Sequence, residues 1–141
     1  MDEARLLSRS CTTGWLVWTA GEFWLTETAL IRIPLSPDRS AGRRRGERKR
    51  GFEPSVGAVR TVPAPPELAA EQVRAGERSN RYVVLDDVRT ARLHKGRLSD
   101  RLTVTTRSGE RHKFLWLSVD PAYDVLRTSL ATSLGDRLAL D

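Results

Sequence analysis

The chain is poor in the residue types that most often carry chemistry: its 141 residues include one cysteine, one methionine and two histidines. A lone cysteine, Cys11, excludes an intramolecular disulfide. It also excludes a thiolate-rich structural zinc site, which draws on several cysteines. His94 and His112 have no recognisable nucleophile or metal-ligand spacing around them, and Asp86 and Asp87 form the one adjacent carboxylate pair beside the strand that ends at His94. The glycines from Gly42 to Gly51 lack the spacing of a phosphate-binding loop, and no helix pattern follows them. No apolar run approaches the roughly 20 residues that span a bilayer. The opening residues, Met1 to Arg9, carry acids early and lack a long apolar stretch, which argues against a secretory signal. These absences lead to the expectation of a soluble, cytoplasmic, non-enzymatic protein with no catalytic residues, no metal and no cofactor.

Lysine is scarce as well. Lys49, Lys95 and Lys113 are the only three, and every other basic residue is arginine. Arginine offers a planar fork matched to phosphate, although codon usage in a GC-rich genome would give the same ratio. The net charge of +6 and the isoelectric point near 10.4 favour anionic partners: phospholipid head groups, nucleic acid or acidic proteins. From Asp38 to Arg50 there are seven basic residues against two acidic ones, so nearly all of the excess lies in one segment. Arg39, Arg43, Arg44, Arg45, Arg48, Lys49 and Arg50 are therefore the candidate anion-binding residues, for lipid or nucleic acid. Phe52 is the only aromatic nearby, so base stacking is not expected. The competing reading of the run is a solvated loop without a ligand. A second basic group, Arg89, Arg92, Lys95, Arg97 and Arg101, reads first as an ordinary charged strand surface and hairpin tip.

Periodicity supplies the architecture. Residues 1 to 13 read as a polar lead-in. Gly14 to Thr19, Glu22 to Thr26 and Ala29 to Leu35 read as strands, with Ile31, Ile33 and Leu35 on one face. Thr26 to Thr28 make a tight connection, and Pro34 suits a strand end. From Ser36 to Asn80 the pattern is broken by prolines and glycines, and this segment reads as a long, basic, disordered insertion. Within it, Ser55 to Val62 forms a candidate strand and Pro66 to Ala75 a candidate helix stopped at Gly76. Strands return from Asn80. Asp86 and Asp87 bend the chain, Val88 to Leu93 continues extended, and Asp100 to Leu117 reads as a hairpin turning at Ser108 and Gly109. On its second strand His112, Phe114 and Trp116 share a face. Pro121 to Leu138 reads as one amphipathic helix with Asp120 as N-cap, its stripe being Tyr123, Leu126, Leu130, Leu134 and Leu138. Trp24 and Trp116 are expected in the core. Trp15 and Trp18 fit either a core or a partner-facing cluster.

The order of these elements resembles a known family. Gly21 to Thr26 followed by Ala29 to Ile33 is similar to the opening hairpin of GRAM and bacterial pleckstrin-homology-like (PH-like) domains. Val84 to Arg89 resembles their strand entry, Leu102 to Phe114 their late hairpin, and the leucine-rich helix their closing element. The resemblance covers residues 14 to 35 and 80 to 138 of a single domain, 1–141. It implies a mainly β fold with a C-terminal α-helix: an antiparallel barrel of about seven strands capped by one helix. The basic first-hairpin pattern of lipid-binding members is missing, since Thr19 to Glu22 carries no base. The function it implies is a binding module for a protein partner. Such a module would dock on an anionic membrane, at the inner face of the cell membrane, through the arginine-rich loop. The alternative is a nucleic-acid-binding or regulatory protein using the same loop.

Overall fold

The computed structural model describes residues 3–14, 18–35 and 59–141. The chain is mainly β with one long C-terminal helix, and its strands form two sheets. β1 (Glu3–Cys11), β2 (Gly21–Thr26), β3 (Ala29–Pro34), β4 (Val62–Pro63) and β5 (Arg81–Val84) form an antiparallel sheet in the order β4-β1-β2-β3-β5. β6 (Val88–His94), β7 (Ser99–Thr106), β8 (Arg111–Leu117) and β9 (Leu138–Leu140) form the second, in the order β8-β7-β6-β9. The sheets meet at two corners. At one, Thr12 and Leu115 exchange backbone hydrogen bonds of 2.8 Å. At the other, a 3-10 turn, Leu85–Asp87, carries β5 into β6. Among the described residues the strands do not close into one barrel, in contrast to the expectation.

The β2–β3 hairpin is as expected, with the register running from Gly21 opposite Pro34 to Leu25 opposite Leu30. The Thr26 hydroxyl fixes its turn by accepting from the Ala29 amide at 2.9 Å and the Thr28 amide at 3.2 Å. Every residue of β2 is buried, because the first sheet is covered on both sides. Phe23, Leu25, Leu30 and Val83 point inward to the second sheet and the helix. Trp24, Ala29, Ile31 and Ile33 point outward, under Leu68 and Val73. The last two belong to a 3-10 turn, Pro66–Leu68, and to a short helix α1 (Ala70–Ala75). Part of the presumed disordered insertion is therefore a cover for the sheet. The apolar side chains of residues 64–73 offset its ordering entropy. Ser36 to Ala58 lie outside the described residues.

Three further expectations are corrected. The polar lead-in is β1, an interior strand between β4 and β2. Its buried residues Ala4, Leu7, Ser8 and Cys11 do not alternate, because the register shifts between Leu6 and Ser8 and again before Cys11. The expected strand from Gly14 to Thr19 is not formed by its described residues Gly14, Trp18 and Thr19, and Trp15 lies outside them. The helix, α2 (Ala122–Leu134), is shorter than the stripe. Gly135 adopts φ 55°, a conformation glycine takes at little cost, and ends it. Leu138 then leaves the helix and pairs in parallel with β6, opposite Ala91.

Ala122, Val125, Leu126, Leu130 and Leu134 bury one face of α2 against both sheets. Burial of each Leu or Val contributes about 1.5–3 kcal/mol. The helix is tied to β1 by Arg5, which donates to the Ser129 hydroxyl at 2.6 Å. Arg137 ties it to β6 by donating to the Val88 carbonyl at 2.6 Å. Asp120 is not its N-cap: Pro121 takes that position, and the Asp120 carboxylate accepts instead from the hydroxyls of Ser8 and Ser10.

Candidate anion-binding face

The inward face of the second sheet is mainly apolar. Leu102 and Val104 of β7 and Phe114 and Trp116 of β8 are fully buried, and Phe23 stacks on Phe114 with ring centroids 4.7 Å apart. The two-residue period of a strand turns the intervening residues out. The register sets them in rows: Arg92 opposite Thr103 and Thr103 opposite Lys113; Thr90 opposite Thr105 and Thr105 opposite Arg111; Arg101 lies one step further along β7. These side chains line an open groove of about 560 Å³ across β6, β7 and β8, closed on the β9 side by Asp136, Arg137 and Ala139.

The groove is strongly cationic. Arg101, Arg111 and Lys113 have no ion pair or hydrogen bond among the described residues. Arg92 is only loosely held, its Nε 3.7 Å from an Asp141 carboxylate oxygen. Arg137 is committed to the fold, where it donates to the carbonyls of Val88, Leu134 and Ser133. Three threonine hydroxyls lie between the free cations. Guanidinium, ammonium and hydroxyl donors spaced along neighbouring strands can hold several phosphate or carboxylate oxygens at once.

Both faces of the first sheet and the inner face of the second are covered, so among the described residues this is the one open sheet face. No family model matches the chain, and a search of curated proteins finds no match.

The primary sequence candidates, Arg39, Arg43, Arg44, Arg45, Arg48, Lys49 and Arg50, all lie outside the described residues. Of the second basic group, the structure gathers Arg92 and Arg101 into the groove. Arg89 sits at the irregularity between Val88 and Thr90. Lys95 and Arg97 lie in the β6–β7 loop, where Lys95 pairs with Asp100 at 3.1 Å. Sequence reasoning missed Arg111, Lys113 and the three threonines. Their signal was the polar half of the alternation in β7 and β8, which acquires meaning only once the register sets the strands side by side.

Other polar groups serve the fold. Arg32 is buried and donates to the carbonyls of Thr19 at 2.6 Å and Cys11 at 3.3 Å and to the Ser79 hydroxyl at 2.9 Å. Burial lowers its affinity for the proton, an effect opposed by nearby Cys11 and Glu77. Burial also pushes the Cys11 thiol far above its ordinary range, with Arg32 opposing. His94 and His112 stand on opposite faces of the second sheet, opposite outward Arg101 and inward Val104 respectively. Among the described residues no three His, Cys, Asp or Glu side chains are grouped to hold a metal. No described helix is long and apolar enough to cross a membrane.

Proposed function

We propose that this chain is a non-enzymatic, PH-like binding module that docks on an anionic membrane surface and engages a protein partner there. The observation that carries the reading is the open outer face of β6–β8, where Arg101, Arg111 and Lys113 project beside Thr90, Thr103 and Thr105 and form no ion pair among the described residues. The basic run from Arg39 to Arg50 adds further cations of the same sign. Two sheets closed by a C-terminal helix support the PH-like comparison, while the interior strand β1 and the parallel strand β9 are additions to the expected plan.

A polynucleotide presents the same phosphate chemistry. The groove, however, is lined without a single aromatic side chain. That leaves no platform for unstacked bases and favours a head-group surface.

The test is co-sedimentation with phosphatidylcholine vesicles with and without phosphatidylserine, for the parent and for Arg101→Gln/Arg111→Gln/Lys113→Gln. Each cation near an anionic leaflet contributes about 1 kcal/mol, so the triple variant should bind roughly a hundredfold more weakly. Equal sedimentation of parent and variant would refute the assignment of the face. Binding of a DNA or RNA duplex by the parent, without binding to anionic vesicles, would replace the membrane reading.

A further inference from the structure

The second sheet ends in two loops that are locked together and yet present apolar side chains to solvent. Asp100 is fully buried beneath them. One of its oxygens accepts from the Gly96 amide at 3.0 Å and the Ser118 hydroxyl at 2.7 Å. The other accepts from Lys95 Nζ and Trp116 Nε1, both at 3.1 Å. The Ser118 amide donates to the Leu98 carbonyl at 2.9 Å, and Lys95 Nζ also donates to the Ser118 carbonyl at 3.1 Å. Four groups on one buried carboxylate make this tip rigid.

Its apices are Leu98, 84% exposed, and Val119, 74% exposed, with Leu117 beside them at 44%. Leu98 and Val119 are the two most exposed large hydrophobic residues among those described, and Leu117 and Val119 flank the residue bonded to Leu98. Single exposed leucines are ordinary on soluble domains, but three gathered on one immobilised projection are not. The surroundings are cationic. Arg97, next to Leu98, has no partner among the described residues. Arg101 is the first outward cation of β7 beyond the tip and belongs to the groove.

We propose that the Leu98–Leu117–Val119 tip inserts into the apolar layer of an anionic bilayer while Arg97 and Arg101 engage the head groups. This rests on the membrane-docking reading and adds the element that enters the lipid. Charge complementarity selects the occupant. A projecting apolar wedge with a collar of cations matches a layer that is anionic outside and hydrocarbon within. Rigidity matters because the loops lose little conformational freedom when they enter.

The experiment compares the parent with Leu98→Ser/Val119→Ser, a pair that leaves the net charge unchanged and removes side chains with little packing to lose. Binding to phosphatidylserine-containing vesicles and salt elution from phosphocellulose are both measured. The serine pair should bind the vesicles roughly tenfold to a hundredfold more weakly, from the transfer free energies of two aliphatic side chains. Its elution from phosphocellulose should match the parent. Unchanged vesicle affinity in the pair, with the parent bound, overturns the insertion and leaves the docking reading standing. A matching loss on phosphocellulose also overturns it, since the substitutions would then act on the charged surface. Failure of the parent to bind anionic vesicles removes the docking reading and the insertion with it.

Discussion

Replacing Asp100 tests whether the tip is built as described. The two carboxylate oxygens are not equivalent. Oδ1 takes the Gly96 amide and the Ser118 hydroxyl, while Oδ2 takes Lys95 Nζ and Trp116 Nε1. All four partners act here as donors, so an acceptor-only group is required. Asp100→Asn can satisfy one side only. With its oxygen toward Gly96 and Ser118, its NH₂ faces the Trp116 and Lys95 donors, and the flipped amide meets the Gly96 amide. The buried Trp116 N–H or the buried amide is left unpaired, at a cost of about 1–3 kcal/mol for the orphaned donor. Asp100→Ala removes all four bonds and should cost about 3–5 kcal/mol, as for breaking a buried ionic contact. For a domain of this size that corresponds to a fall of roughly 10–20 °C in Tm. Lys95→Met is the control. The lysine side chain is 44% exposed and its loss leaves Asp100 its three neutral donors, so it should cost less than Asp100→Ala although it removes the counter-charge of a buried carboxylate. Urea unfolding gives the stabilities, and the Trp116 indole N–H resonance reports the bond directly. An asparagine variant as stable as the parent, with that resonance unmoved, would refute the acceptor-only argument.

Two other substitutions probe the opposite end of the core. A Cβ on Gly21 would lie 2.5 Å from the Arg32 guanidinium carbon, and three hydrogen bonds hold that guanidinium in place. Gly21→Ala should therefore destabilise by about 1–3 kcal/mol, and an unshifted urea midpoint would show that Arg32 yields freely. Cys11 is buried with its pKa raised by desolvation, so the folded protein should resist thiol reagents at pH 8 and react only on unfolding. The folded state keeps this proton while the unfolded thiol loses it above its ordinary pKa of 9.0. Stability from this group is thus complete below that pH and declines above it, by at most about 1.4 kcal/mol per pH unit. Comparison with Cys11→Ala between pH 8 and 10 isolates the slope, and parallel curves would contradict it.

The elements legible in the sequence were those with uninterrupted periods. The β2–β3 hairpin, the strands on either side of Gly109 and the helical stripe from Leu126 to Leu134 each follow one period. β1 was not legible because its register shifts twice, and because Ser8 is buried among its apolar residues. The cover formed by Leu68 and Val73 was hidden by the prolines and glycines around it, and α1 spans only six residues. Leu138 fell on the helical stripe by spacing, but Gly135 had already turned the chain out of the helix. The candidate site was half legible. Arg92 and Arg101 stood in a basic group, but their association with Arg111 and Lys113 depends on cross-strand register, which side-chain alternation within a single strand does not specify.

On the docking reading proposed above, the face across β6–β8 and the tip at the end of the sheet would act at different ranges and take separate parts. Unscreened cations attract an anionic surface over roughly the Debye length, about 8–10 Å at physiological salt. Arg101, Arg111 and Lys113 would therefore govern approach and its salt dependence. Leu98 and Val119 would gain nothing until they leave water, so their contribution would fall on the lifetime of the docked state. Removing charge from the face should slow association and flatten its response to salt. Removing the tip should shorten residence with that response unchanged. Both properties depend on the inner face of the same sheet: Leu102, Val104, Phe114 and Trp116 bury their side chains and fix the register that sets the cations in rows, and Trp116 bonds the carboxylate that holds the tip.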